Sequence, residues 1–243
     1  MKIKLRLLLV CIGLTLLVNA QGKTELHLGA VMPLGEFANY DYDYFMEGSG
    51  CATTGIVGGI KFFRPIKSTK GLFYTFGLDI NVNGLNRDLK DRYKSTFDSN
   101  IKGTDAKSDI KYFKYINAPL LAGLNYKYPL NKDAEIYADA AMGINFANMS
   151  EMVVTVTSPS LYSQPENEAK MITSVSSSNG FATQLGLGIL IQKKVSISVH
   201  YNQLGTYKMS GEISNSTDSR STTFSTDVPM TINTLNFELG IRL

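Results

Sequence analysis

The stretch Thr231–Leu243 reads TINTLNFELGIRL. From Leu235 onward its odd positions are apolar: Leu235, Phe237, Leu239, Ile241 and Leu243. Its even positions, Asn236, Glu238, Gly240 and Arg242, are polar or glycine. A period of two residues is that of a strand with one apolar and one polar face. The solvent that each face meets decides the fold. A soluble barrel would turn the leucine row inward, and a membrane barrel would turn it outward.

Seven earlier segments repeat the pattern. ELHLGAVMP sets Leu26, Leu28, Ala30 and Met32 against Glu25, His27 and Gly29. A Gly-rich segment near 52–63 aligns Ile56, Ile60 and Phe62, and LFYTFGLDINVN sets Leu72 through Val82 against Thr75, Gly77, Asp79 and Asn81. The fourth, about 110–127, opposes Tyr112, Ile116, Ala118, Leu120, Leu124 and Tyr126 to Asn117, Gly123 and Asn125. EIYADAAMGINF places Glu135, Asp139 and Asn145 on its polar face, the segment from Phe181 to Ile191 places Gln184, Gly186 and Gly188 there, and VSISVHYN places Ser196, Ser198, His200 and Asn202 there. No convincing amphipathic helix intervenes.

The connections are sorted by length. Those after the first, third, fifth and seventh segments are long (about 33–50, 83–109, 148–179 and 205–230), and the others are the short RPIKSTK, PLNKD and QKK. In an up-and-down barrel this parity gathers every long loop at one end, as outer-membrane barrels do. The expectation is an all-β chain: an eight-stranded antiparallel up-and-down transmembrane β-barrel with short periplasmic turns and long extracellular loops. Aromatic residues sort the same way. Phe62, Tyr74 and Tyr126 fall near the turn ends of their segments, and Tyr112, Phe146, Phe181 and Tyr201 near the loop ends, as two interfacial girdles would. Lys114 interrupts the apolar row of the fourth segment, but near its end, where it can snorkel.

Residues 1–20 have the form of a signal peptide: basic MKIKLR, apolar LLLVCIGLTLLV, and VNA before Gln21. The barrel domain is then 21–243. Lys2, Lys4 and Arg6 lie in the leader, so the 24 basic residues fall to 21, equal to the 21 acidic ones. A neutral chain gives no nucleic-acid footprint. The hydrophobic fraction of 44% comes without a long apolar run after the leader. That excludes helical spans and leaves strands that show half their residues to lipid. Cys51 is the one cysteine beyond the leader, so no internal disulfide forms.

The segments GAVMPLGEFA, YINAPLLAGLNYKY and FELGIRL resemble the outer membrane protein β-barrel domain family that is PorT-like and widespread in Bacteroidetes. The resemblance spans essentially the whole chain after the leader. It implies insertion by the barrel assembly machinery, which reads a C-terminal signal strand. Some members of the family serve protein secretion. This chain closes on Leu243 where an aromatic residue is commoner.

On the inward faces the parity places Glu25, His27, Lys61, Asp79, Glu135, Asp139, His200, Glu238 and Arg242. An eight-stranded barrel is just wide enough for side chains to fill, so these residues are expected to form a polar plug of ion pairs. Arg242 and Glu238 are expected to meet Glu25 or His27 of the adjoining first strand. Catalysis would need His27 or His200 beside an orienting carboxylate. The two histidines start and end their segments at opposite heights, which argues against a shared site. G-x-S-x-G, HExxH, P-loop and cysteine-histidine metal spacings are absent. The DYDY run at Asp41 is a weak carboxylate pair for a cation. No enzyme, cofactor or metal is expected.

The expected function is an integral outer-membrane barrel with a structural or surface-interaction role, loops outside the cell and both mature termini periplasmic. Its partners would be outer-membrane lipid, the barrel assembly machinery during insertion, and a secretion-complex or extracellular partner. The alternatives are an accessory barrel of a secretion complex and a secreted soluble ligand-binding barrel.

Overall fold

A computed structural model describes residues 22–41, 48–102, 104–158, 167–208, 210–215, 221–225 and 229–243. The signal peptide expected at 1–20 lies outside the described residues, as does Asp43 of the DYDY run. The strands are β1 (Lys23–Leu34), β2 (Gly55–Pro65), β3 (Leu72–Gly84), β4 (Lys107–Lys111), β5 (Lys114–Pro129), β6 (Ala134–Met149), β7 (Met152–Ser158), β8 (Asn167–Val175), β9 (Ser178–Ile191), β10 (Val195–Tyr207), β11 (Ser210–Asn215), β12 (Ser221–Ser225) and β13 (Met230–Arg242). Among the described residues one α-helix, α1 (Arg87–Asn100), follows β3.

Eight of these strands form a closed antiparallel barrel in the order β1-β13-β10-β9-β6-β5-β3-β2. Closure is made by β1 and β13, paired from Glu25↔Arg242 to Leu34↔Asn233. Most inward positions of the wall are covered and most of these are polar, while the outward rows are largely apolar and bare. Leu187 is 68% exposed, whereas Asn117 is 1% exposed. A wall that bares its leucines and buries its asparagines inverts the rule for water-soluble proteins, so the medium around it is hydrocarbon. The soluble ligand-binding alternative needs the opposite arrangement.

The wall strands match the expected segments, with corrections at their upper, long-loop ends. The fourth segment is two strands: β4 leaves the barrel and β5 begins at Lys114. Tyr112 lies between them. Its hydroxyl donates to the Lys90 carbonyl of α1 at 2.8 Å, so it is packed on the helix and belongs to no girdle. β10 runs on to Tyr207, through a bulge between Gln203 and Thr206 where Gly205 takes φ +98°. Tyr201 is therefore mid-strand and not at the upper rim.

The long connections are built structure. The polarity of α1, RDLKDRYKSTFDSN, masks its helical period in the sequence, although Leu89 and Tyr93 stand four residues apart on one face. Asn86 caps it, accepting from the Asp88 N–H at 2.7 Å. Strands drawn from three different long connections form a second sheet, β12-β11-β8-β7-β4. The first connection folds back over the mouth of the barrel. Ala52 N–H donates to the Phe37 carbonyl at 3.0 Å, and Asn86 N–H to the Cys51 carbonyl at 2.7 Å.

Leu187 and Gly186 test which face is which. Leu187→Arg is expected to cost about 2–4 kcal/mol if it sits at the bilayer midplane. Gly186→Ala is expected to cost about 1–3 kcal/mol by overfilling the bore, since a Cβ there meets the His200 ring and Asp139 Oδ1. Urea unfolding of both variants in lipid vesicles measures the two costs. A harmless Gly186→Ala would place that residue on the wrong side of the wall.

Candidate functional site

The bore is filled in three layers, ionic, amide and apolar. The lower layer, toward the short turns, is ionic. Arg242 Nη2 donates to Glu25 Oε2 at 2.7 Å across the closing pair of strands. The Arg242 guanidinium also lies over the Phe63 ring, 4.2 Å from its centroid. Lys127 shares that aromatic cage, with its Nζ 4.8 Å from the Phe63 centroid and 4.3 Å from that of Phe73.

Above this lies a chain of alternating acid and base. His27 Nε2 is 2.9 Å from Asp79 Oδ1 and 3.8 Å from Glu238 Oε2. Glu238 Oε2 is in turn 3.1 Å from His200 Nδ1, in ion-pair range though not aligned as a hydrogen bond. His200 Nε2 is 3.2 Å from Asp139 Oδ2. Lys61 completes the cluster. It stands on β2, yet its Nζ is 3.8 Å from Asp139 Oδ2 on β6 and donates to Gln184 Oε1 at 3.3 Å on β9, so it crosses the bore.

Local sequence makes room for these bulky pairs. Across β1-β2-β3 the register sets His27, Gly59 and Asp79 side by side, and across β10-β9-β6 it sets His200, Gly186 and Asp139 side by side. In both rows the central residue is glycine. A Cβ on Gly59 would lie 2.5 Å from Asp79 Oδ1 and 2.7 Å from His27 Nε2. The missing side chain is the space that the ion pair occupies.

Of the nine residues expected in the plug, Glu25, His27, Lys61, Asp79, Asp139, His200, Glu238 and Arg242 are buried in the bore. Glu135 is only half-buried, because it is the second residue of β6 and sits at the turn-side rim, outside the ion-pair chain. The expected separation of the two histidines is corrected. Strand stagger and the extension of β10 bring both to the same Glu238 carboxylate. Parity reading passes over Lys127, although it shares the face of Asn125 and Asn117 on β5. It also passes over the amide ladder above the ions, where Gln184 Nε2 donates to Asn202 Oδ1 at 2.9 Å and Asn145 Nδ2 to Asn117 Oδ1 at 2.9 Å.

The upper layer is apolar. Phe37, Cys51, Leu85, Leu89, Phe113 and Met230 close over the mouth together with inward residues of the wall. Phe37 packs edge-on to Tyr115 at 5.0 Å, and the Tyr115 hydroxyl donates to the Gly50 carbonyl at 2.5 Å. Outside this cap, Asp98 of α1 accepts from the Ser108 hydroxyl at 2.5 Å and pairs with Lys94 at 3.1 Å. Ser108 first and Lys94 second hold its carboxyl below the usual range.

His27, Asp79 and Glu238 set three donor atoms within 4.8 Å of one another, a set that could ligate a divalent cation. Lys61, in the same cluster, already answers part of that negative charge. Each histidine has a carboxylate partner, as a general base requires. Both are covered by the plug and lie beneath the cap.

These features define a plugged, capped transmembrane β-barrel. No family model matches the chain, and no curated protein matches it. Among solved structures it is similar to Ail, the attachment invasion locus protein of Yersinia pestis, at 11% identity and TM-score 0.43 over 91% of this chain and 99% of that one. It is similar to Neisserial surface protein A at 11% identity and TM-score 0.39 over 91% and 96%. It is similar to a major outer membrane protein from Thermus thermophilus at 9% identity and TM-score 0.43 over 92% and 100%. The barrel assignment here rests on this chain's own strand pairing.

The closing ion pair offers a direct test. Arg242→Met leaves the Glu25 carboxylate buried beside an apolar side chain and is expected to cost about 3–5 kcal/mol. Adding Glu25→Leu to that variant should recover more than half of the loss in urea unfolding. Equal, additive losses would mean that the two side chains do not act as a pair.

Proposed function

We propose that this protein is an integral outer-membrane barrel whose role is structural and surface-interacting, with its long connections outside the cell. The observation that carries the reading is the projecting sheet. Three separate long connections are tied into one ordered five-stranded sheet above a sealed mouth. A conduit would need an open bore, and a barrel enzyme would need a reactive group at the rim. Both histidines of the chain lie low in the plug instead. The sheet ends in β4 and β12, whose outer edges pair with no described strand. Such edges accept a partner by strand addition.

The PorT-like resemblance is consistent with this placement. GAVMPLGEFA forms the upper half of β1 and the rim turn after it, YINAPLLAGLNYKY is β5, and FELGIRL closes β13. All three motifs are wall and rim, so they speak for architecture. The same reading assigns the turns and both ends of the barrel to the periplasm, and insertion to the barrel assembly machinery.

Single cysteines test the orientation, because Cys51 is buried. A membrane-impermeant maleimide applied to intact cells is expected to label Ser95→Cys on α1. It should label Ser68→Cys, in the turn after β2, only once the outer membrane is opened. The reverse pattern would overturn the orientation. Steady unit conductance in a planar bilayer would overturn the sealed mouth.

A further inference from the structure

The short-turn end of the barrel carries an uneven share of charge. Lys23, Arg64, Lys67, Lys70, Lys132, Lys193 and Lys194 stand exposed there, against the exposed Asp133 and the half-buried Glu135. The lysines are not spread evenly. Gln192 N–H donates to the Asp133 carbonyl at 2.6 Å, which ties the β5–β6 turn to the β9–β10 turn. Lys132, Lys193 and Lys194 are thereby gathered at one point on the rim. The β9–β10 turn is tight, with Gln192 and Lys193 both left-handed at φ 49° and 57°.

Directly above that point the lipid-facing wall is indented. Ala138 and Ala140 of β6 face outward between larger neighbours. Tyr126 and Tyr128 wall one side of the resulting groove, and Leu187 and Val199 the other. Its lower part encloses about 680 Å³, and an upper part of about 590 Å³, lined by Ala140, Leu185 and Tyr201, shares Tyr126, Ala138 and Leu187 with it. From Ile136 to Ala140 the groove follows four residues of strand, roughly 13 Å at about 3.3 Å per residue. With barrel strands tilted by about 40°, that descends roughly 10 Å, about two thirds of the roughly 15 Å hydrocarbon depth of one leaflet.

We propose that this groove and the three lysines below it form a binding site for one anionic phospholipid of the turn-side leaflet. An acyl chain lies over Ala138 and Ala140, and the headgroup phosphate sits among Lys132, Lys193 and Lys194. The argument rests on the reading of the wall as membrane-spanning. Two features commit the site to a lipid and not to free phosphate. The groove is continuous with the lipid-facing wall, and its apolar lining leads straight to the cationic cluster. Asp133 and Glu135 border the cluster and offset two of its three positive charges; the one that remains favours a singly charged headgroup over a neutral one. Basic side chains at a membrane surface attract anionic lipid in this way.

The test uses the full mature chain folded into vesicles of phosphatidylcholine mixed with phosphatidylglycerol of the same acyl chains. After gentle detergent extraction, native mass spectrometry counts the lipids that stay bound. The parent should retain phosphatidylglycerol over phosphatidylcholine. The triple variant Lys132→Gln, Lys193→Gln, Lys194→Gln should lose that preference, on the order of tenfold or more for three charges near a headgroup. Ala138→Phe, which fills the groove and leaves the lysines, should lose it as well. Lys67→Gln with Lys70→Gln, in a different turn, should keep it. Equal retention of the two lipids by the parent would overturn the site. So would equal losses in the Lys67/Lys70 and triple variants, which would mean a diffuse ring of charge. Failure of the membrane reading looks different: the parent would then gain no protease protection even in pure phosphatidylcholine vesicles.

Discussion

Hydrocarbon offers an amide no hydrogen-bond partner, and each peptide group left bare in it costs several kcal/mol. The pairing of β1 with β13 answers that constraint. Ten residues of β1, from Glu25 to Leu34, meet ten of β13, and no edge of the eight-stranded wall remains open. Closure then dictates the rest. Eight strands make a narrow bore, a narrow bore must be filled by its own side chains, and a two-residue period forces the filling to be whatever alternates with the lipid face. The lipid face must be apolar, so the polar residues of the chain are sent inward.

Polar residues crowded out of water must satisfy one another. Here they do so through a chain of carboxylates and bases that runs from Asp79 through His27, Glu238 and His200 to Asp139, with Lys61 reaching across from the opposite wall. The wall holds its shape by backbone pairing, and the plug couples strands that backbone pairing cannot connect. Glycine on the intervening strand reserves the volume for each large pair. Removing one member of such a pair leaves its partner charged and buried, whereas a missing lipid-face side chain leaves only a gap that acyl chains fill.

Most of the wall is legible in the sequence, because strict alternation and sorted loop lengths are strong signals. Glu238 and Arg242 alternate with Phe237, Leu239 and Ile241, and that parity alone puts them in the bore. What fails depends on height and on tertiary partners. Alternation gives way to the mixed lining of the cap at the upper strand ends, so the strands read short and Tyr201 and His200 read too high. Stagger between strands is invisible in one chain, and the two histidines therefore look far apart in the sequence although they share a carboxylate. α1 lacks a strong apolar face, and among the described residues the projecting sheet carries its buried apolar side chains, Met152 and Val154, on the short strand β7 alone. Leu89 alone is fully covered in the helix, β4 has one apolar residue in five, and β12 is mostly serine and threonine.

The meeting of the ionic layer with the apolar cap has a consequence for how this chain tolerates change. Along β5 the inward side chains run from Lys127 and Asn125 at one end, through Leu121 and Asn117, to Tyr115 at the other. Over that length the inner environment passes from saline-like, through a mixed band that holds Asn117, to oil-like, while the backbone, the register and the direction of the side chains stay the same. One strand thus obeys two opposite substitution rules. An inward leucine is foreign at Asn125 and native at Leu121, only four residues away. Any profile of permitted residues drawn along such a strand turns from polar to apolar through a mixed band, and that band marks the level at which an inside-out protein becomes an ordinary one.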